Sequence, residues 1–354
     1  MRSYKIGVLE GDGIGPEIVK ATVSLLEAVA RKSEGIGFDW HKFPMGWEAI
    51  KAAGNPLPED TLRGLARCSG WIMGPHDSVS YPDHLKSVLN PSGQLRIHYD
   101  LYANIRPAKN YPSLRSLVHD TDLVIVRENT EGFYSDRNMY QGAGEFMPTA
   151  DVALSTGVFT KYASERIAKV AFGLAQSRRK HVSIVHKANV IKLGNGLFLD
   201  TCKEVGTSYP DIQVDDYHID AMAAHLVRRP HDFDVILTTN MFGDILSDLS
   251  AELVGSLGLG GSLNAGDKYA MAQAVHGAAP DIADQGVANP VGLMNSAVML
   301  LDWIGKKYND EELIDCAQTI DAAIIEVLSS GPLTHDLGGE ADTHTFTEAV
   351  VGCM

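Results

Sequence analysis

The chain has 354 residues, enough for two domains or one large one, and an ordinary apolar fraction of 45%. It holds no long apolar run, which argues against a transmembrane span, and its net charge of −15 argues against nucleic acid or an anionic membrane as partner. The four cysteines, Cys68, Cys202, Cys316 and Cys353, lack metal or disulfide spacing, and no signal peptide is visible, so a reducing, cytoplasmic setting is expected.

In chain order, Tyr4 to Leu9 reads as a strand, followed by the glycine turn Gly11-Asp-Gly-Ile-Gly-Pro16 and a helix over Glu17 to Ala30. The glycine spacing is wrong for a dinucleotide fingerprint, and Pro16 suits the first turn of a helix. Ile36 to Phe43 alternates as a strand, Leu57 onward starts a second helix, and Gly70 to Met73 is a short strand. This β-α-β-α-β order predicts an α/β fold with a largely parallel sheet and helices on both faces. From His76 to Pro91 the pattern lapses into a polar loop.

Arg96, Arg106 and Arg127 come next, the last two at the ends of apolar strands. An arginine leaving a buried strand needs an anionic partner. Internal salt bridges would serve one arginine; three together suit a di- or tricarboxylate held by bidentate forks. Asp151 to Thr160 alternates like an antiparallel strand, Tyr162 to Ser177 has helical periodicity, and Val182 to Val185 delivers His186-Lys187-Ala-Asn189 at a strand end. Val214 to Ile219 is a further strand, ending at Asp220.

The stretch Asp234 to Glu252 organises the rest. Asp234 to Thr239 is an apolar run, Asn240-Met-Phe-Gly243 is expected to turn the chain, and a helix is expected from Asp244. Asp244 and Asp248, four apart, point from one helical face at the carboxyl edge of a sheet. Either Asp244 caps the helix and Asp248 is solvated, or the two share a hard cation such as Mg²⁺ or Mn²⁺. The glycine-rich segment Gly255 to Gly266 follows a helix, so it reads as a connection and not as a phosphate loop. Pro290 to Ile304 and Glu311 to Leu328 read as two helices.

Seven motifs occur in order: Gly11 to Pro16, Leu101-Tyr-Ala-Asn-Ile-Arg-Pro107, Arg127-Glu-Asn-Thr-Glu-Gly132, His186 to Asn189, Asn240-Met-Phe-Gly-Asp-Ile-Leu-Ser-Asp248, His276-Gly-Ala-Ala-Pro-Asp281 and Asp336-Leu-Gly-Gly339. Together they resemble the β-decarboxylating dehydrogenases, the isocitrate, homoisocitrate and 3-isopropylmalate dehydrogenase family, over essentially the whole chain. The resemblance implies a two-domain fold, not a Rossmann fold, with a sheet spanning both domains. Residues 1–100 plus 252–354 would form a large, cofactor-binding domain, and 101–251 a small domain for dimerisation and metal and substrate binding. It also implies a homodimer with shared active sites.

The activity implied is NAD-dependent oxidation of a 3-substituted malate with loss of its 3-carboxylate. Asp244 and Asp248 of one subunit and Asp220 of the other would hold Mg²⁺ or Mn²⁺. Lys187 would act as base, with Asp220 beside it, and Tyr134 would protonate C3. Arg96, Arg106 and Arg127 would hold substrate carboxylates. Asn240, His276, Gly277, Asp281, Ile282 and Asn289 would bind NAD, with Asp281 disfavouring a 2′-phosphate. Isopropylmalate enzymes carry a leucine pair where this chain has Ser92 and Gly93. Asn90 and Ser92 therefore point to a polar or carboxylated substituent, as in isocitrate or homoisocitrate. The alternatives are 3-isopropylmalate, D-malate or tartrate as substrate, or a catalytically silent regulatory subunit of isocitrate dehydrogenase.

Overall fold

Strands form where apolar residues run without a break, and helices where they recur every third or fourth residue. The computed structural model describes residues 2–86, 88–111, 113–134, 139–142 and 144–354. It divides into two units: 1–98, 111–115 and 255–354 form the first, and 99–110 and 116–254 the second.

The first unit begins with β1 (Arg2–Leu9), α1 (Gly15–Lys32), β2 (Ile36–Lys42), α2 (Trp47–Ala53), α3 (Glu59–Leu65), β3 (Gly70–Met73) and α4 (Pro91–His98). The second unit carries β4 (Ala103–Lys109), β5 (Asp122–Glu128), the hairpin β6 (Glu145–Thr149) and β7 (Val152–Ser155), α5 (Lys161–Gln176), β8 (His181–His186), α6 (Gly194–Gly206), β9 (Gln213–His218), α7 (Ile219–Arg228), β10 (Val235–Thr238) and α8 (Asn240–Val254). The chain returns to the first unit with β11 (Leu263–Ala265), β12 (Ala270–Gln273), α9 (Val291–Tyr308), α10 (Glu311–Ser330) and α11 (Thr343–Cys353).

In the first unit the strands lie in the order β2-β1-β3-β12-β11. All neighbours are parallel except β11 and β12. Ile18 and Leu25 of α1, Leu300 and Ile304 of α9 and Ile320 and Ile324 of α10 pack with Ile6 and Ile72 of the sheet. Helix starts follow local chemistry. Pro16 stands in the first turn of α1, where no amide hydrogen is needed, and Asp310 and Asp342 cap α10 and α11. Gly13 has φ +59°, and a Cβ there would lie 2.0 Å from the carbonyl oxygen of Ala278. The glycine turn after β1 is thus a spacer that lets the 276–279 loop pack on it, which explains why its spacing is not that of a phosphate loop.

In the second unit the order is β4-β5-β10-β8-β9, with only β4 antiparallel to its neighbour. Val124, Val126, Val182, Ile184, Val235 and Leu237 face α5 and α6, where Ile167, Phe172 and Phe198 pack. Ile125, Val185 and Ile236 face the opposite way, against Met222 and Leu226 of α7 and Leu246 of α8. With both faces covered, these strands must be apolar throughout, as their sequences are. The carboxyl ends of β5, β10, β8 and β9 therefore share one edge, where α/β proteins bind ligands.

Three expectations are corrected. Asn240 to Gly243 is the first turn of α8 and not a separate turn, since the Gly243 amide already donates to the Thr239 carbonyl at 2.9 Å. Arg106 sits within β4 and not at its end. The polar loop after β3 gives way at Pro91 to α4, and the strands β11 and β12 follow a short 3-10 turn (Leu257–Leu259) in the glycine-rich region.

Candidate active site

In the second unit, Arg106 and Arg127 are buried side by side beneath α8, at 6% and 2% exposure. Burial first, and then the neighbouring Arg127 charge, pull the Arg106 guanidinium down to about 10. Two buried cations together create a demand for anions. Asp244 and Asp248, one turn apart on α8, meet part of it. The Arg106 Nη1 lies 3.4 Å from Asp244 Oδ1 and 3.3 Å from Asp248 Oδ1, and Arg127 Nη1 donates to Asp244 Oδ1. Ser247 accepts from Arg106 Nη1 at 2.7 Å, and Asn104 from its Nε at 2.8 Å. Asn240 accepts from Arg127 Nε and Nη2 at 2.9 and 2.7 Å. These contacts fix Nε and Nη1 of Arg106 and all three nitrogens of Arg127.

Because α8 begins at Asn240, Asp244 lies in its second turn and cannot be its cap. Its other carboxylate oxygen accepts from the Tyr134 hydroxyl at 3.3 Å. Asp248 is pushed above the usual carboxylate range by burial, with Arg106 pulling down and Asp244 pushing up. A pair of carboxylates bridged by one guanidinium nitrogen is an all-oxygen donor set that fits a hard cation, which commonly takes one or two carboxylates and keeps several waters.

Lys187 follows β8 and Asp220 opens α7 after β9, the strands being paired at His186 and His218. Their side chains form an ion pair. The Lys187 amide donates to Asn195 Oδ1 at 2.7 Å, and His186 accepts from the Ala188 amide at 3.0 Å while its other ring nitrogen lies 3.0 Å from Asp216. Among the described residues no three carboxylate, imidazole or thiol groups come together in a metal-sized cluster. One chain therefore supplies two separate groups, Asp244 with Asp248 and Lys187 with Asp220.

In the first unit, Asn90 Oδ1 caps α4 through the Gly93 amide at 2.8 Å. The buried Ser92 hydroxyl donates to Gln273 Oε1 at 3.1 Å, and Arg96 Nη2 donates to the same oxygen at 3.3 Å. His276 holds Nδ1 3.0 Å from the Gly277 carbonyl, which makes Nδ1 the donor and leaves Nε2 as an acceptor. That Nε2 is buried without a hydrogen-bond partner, and burial keeps the ring below its ordinary pKa. An orphan acceptor beside the open Gly277 fits an amine or hydroxyl of a nucleotide. Asp281 is exposed and Ile282 half-buried in the following loop. The Asn289 side chain is already committed, to Asp336 at 2.9 Å and to the Val291 amide at 3.0 Å, so a ligand there would meet its backbone.

Sequence reasoning missed Asn104, Ser247, Asn195, His76 and Gln273. Asn104 lies two residues before Arg106 in the quoted motif, which was the available signal; the structure pairs it opposite Arg127 across β4 and β5. Gln273 carries no motif at all.

Buried arginines facing paired aspartates stand at the carboxyl edge of a largely parallel sheet, where α/β proteins bind ligands. Residues 5–350 match the isocitrate/isopropylmalate dehydrogenase family, and the chain belongs to that family. It is 44% identical over 353 residues, 99% of each chain, to the isocitrate/homoisocitrate dehydrogenase of Thermus thermophilus. It is 40% identical over 352 residues, 98% of each, to the 3-isopropylmalate/3-methylmalate dehydrogenase of Methanocaldococcus jannaschii. The crystal structure of isocitrate dehydrogenase from Methylococcus capsulatus superposes with a TM-score of 0.88 at 39% identity, covering 99% of both chains. The protein is thus a decarboxylating dehydrogenase of hydroxy acids, with that family's α/β fold. Among the described residues no helix is long and apolar enough to cross a membrane.

Proposed function

We propose that this enzyme converts a 3-substituted malate with a polar or carboxylated substituent, isocitrate or homoisocitrate, to the 2-keto acid and CO₂, using NAD⁺ and Mg²⁺ or Mn²⁺. The observation that carries the reading is the buried Arg106–Arg127 pair facing Asp244 and Asp248. Two fixed guanidinium forks bind and orient carboxylates. Asp244 and Asp248 would hold a divalent cation, which would supply Lewis acidity toward the substrate's C2 hydroxyl, and NAD⁺ held by the first unit would supply the hydride acceptor. Lys187 takes the hydroxyl proton and Asp220 balances its charge. Tyr134 returns a proton to C3 after the C3–carboxylate bond breaks. One proton leaves and one is added, so the sum is hydroxy acid plus NAD⁺ to keto acid, CO₂ and NADH.

The cofactor role falls to the first unit, through His276, Gly277, Asp281, Ile282 and the backbone at Asn289. The exposed Asp281 carboxylate would accept ribose hydroxyls and repel a 2′-phosphate. A second copy of the chain is supported by the β6–β7 hairpin, all of whose residues are exposed, Phe146, Met147, Val152 and Leu154 among them. A lone two-stranded hairpin is marginally stable, and an exposed apolar patch marks an interaction surface. Pairing would bring Lys187 and Asp220 of one copy to Asp244 and Asp248 of the other.

The polar setting of Ser92 argues against an isopropyl group. The Ser92 hydroxyl donates to Gln273 Oε1 at 3.1 Å, so the discrimination comes from a small, polar lining and not from an unpaired group. The test is kcat/KM for isocitrate, homoisocitrate, 3-isopropylmalate and D-malate, each with NAD⁺ or NADP⁺ and Mn²⁺. Isocitrate or homoisocitrate should lead isopropylmalate by roughly ten- to a hundredfold, with NAD⁺ preferred. A lead for isopropylmalate would overturn the substrate assignment, and equal use of NADP⁺ the role of Asp281.

A further inference from the structure

We propose that Gln273 is a positioning residue for substrate binding: a neutral acceptor, fixed in the sheet, that orients Ser92 and Arg96 together. Its backbone is clamped. Gln273 ends β12 in parallel register with Met73 of β3. Its amide donates to the Ser262 carbonyl at 3.1 Å, and its carbonyl accepts from the Ser262 hydroxyl at 2.6 Å. The Ser262 amide is tied in turn to Ser296 of α9 at 2.9 Å. The carboxamide therefore projects from a rigid platform, and Gln273 is only 9% exposed.

Three donors converge on its Oε1: Ser92 Oγ at 3.1 Å, Arg96 Nη2 at 3.3 Å and Asn264 Nδ2 at 3.4 Å. The amide orientation is not arbitrary. A guanidinium only donates, so turning Nε2 toward Arg96 would set donor against donor. Gln273 thus links two positions of the α4 face, four residues apart, that α4's own cap at Asn90 does not reach.

The choice of amide over carboxylate is the specific part. A carboxylate of the same shape would form a charge-assisted bond to Arg96, stronger than the neutral one, and would place a negative charge where a substrate carboxylate must come. The amide directs the guanidinium without competing for it. His76 lies within electrostatic reach of Arg96, and burial followed by the Arg96 charge lowers it to about 4, so it stays neutral at working pH.

The inference rests on the proposed reading that Ser92 and Arg96 face the substrate, and the experiment separates the two. Gln273→Glu, Gln273→Leu and Arg96→Met are compared for KM and kcat on the best of the four acids, with thermal unfolding measured alongside. Gln273→Glu should raise KM about tenfold while kcat stays within about threefold, the pattern of lost binding shared by ground and transition states. Gln273→Leu, which removes the acceptor without adding charge, should also raise KM, and Gln273→Glu should unfold near the wild-type temperature. If Arg96→Met raises KM but neither Gln273 variant does, Gln273 is no positioning residue and the substrate reading stands. If Gln273→Leu and Gln273→Glu only lower the unfolding temperature with KM unchanged, their role is structural and the inference falls. If Arg96→Met leaves KM unchanged, the assignment of Arg96 fails and takes this inference with it.

Discussion

Arg127 lies directly on Gly243: a Cβ built on that glycine would stand 2.6 Å from both Cβ and Cγ of the arginine. Gly243 is inside α8, where a glycine ordinarily costs about 1 kcal/mol relative to alanine. The close approach of Arg127, itself 2% exposed, outweighs that cost. The same approach lets the guanidinium reach Asn240 and Asp244 from below the helix.

Gly243→Ala is therefore expected to destabilise the fold by about 1–3 kcal/mol despite its better helix propensity, because the obstructed atoms belong to the root of the arginine and not to its flexible end. Displacing Arg127 should also raise KM for the acid. Thermal unfolding and steady-state kinetics check both effects. An alanine variant more stable than wild type, with unchanged KM, would contradict the packing described.

Asp244 and Asp248 lead to the second prediction. Chelation should abolish turnover, and Mg²⁺ or Mn²⁺ should restore it. Asp244→Asn and Asp248→Asn should each weaken Mn²⁺ binding measured directly by titration, independent of activity. Asp244→Asn also removes the charge that balances Arg127. Full activity of Asp244→Asn in chelator-treated protein would remove Asp244 from the site.

The second unit was readable from sequence to the extent that its strands are buried on both faces. The runs Leu123 to Val126 and Val235 to Thr238 have no polar face to blur them. The start of α8 was misread because Asn240 and Gly243 are both turn formers. In the fold, Asn240 spends its side chain on Arg127, and Gly243 is there for contact. The strands β11 and β12 escaped notice because three and four residues are too short for a period to show. Gln273 was invisible for a different reason: its role comes from a register across the sheet, not from neighbours in sequence. The roles given to Asp220 and Lys187 rest only on motif resemblance, since a strand-end lysine and a helix-start aspartate are common on any α/β surface.

The separation of Lys187 and Asp220 from the Asp244 pair yields a third prediction. Lys187→Ala and Asp244→Asn chains, each inactive alone, should regain activity when mixed and allowed to exchange subunits. One hybrid site then carries both intact groups. Demonstrated subunit exchange without recovered activity would show that each site is completed within a single chain.

The last prediction concerns acid stability and His76. Its Nδ1 is buried with no hydrogen-bond partner, just beyond β3. Burial and then the Arg96 charge lower the ring from its ordinary 6.5 to about 4, while Asp12 and Asp77 pull weakly the other way. Above pH 6.5 the ring is neutral in both folded and unfolded chains, so its contribution to stability is fully present. Below 6.5 the unfolded chain takes up a proton that the folded chain refuses, and stability drains away until the folded ring titrates near pH 4. The whole loss amounts to about 3 kcal/mol at most. His76→Gln removes the titration and should flatten the stability profile between pH 6.5 and 4, leaving the profile above pH 7 parallel to that of wild type. Urea unfolding midpoints across that range provide the measurement. A variant whose midpoint falls as steeply as that of wild type would place the acid sensitivity elsewhere.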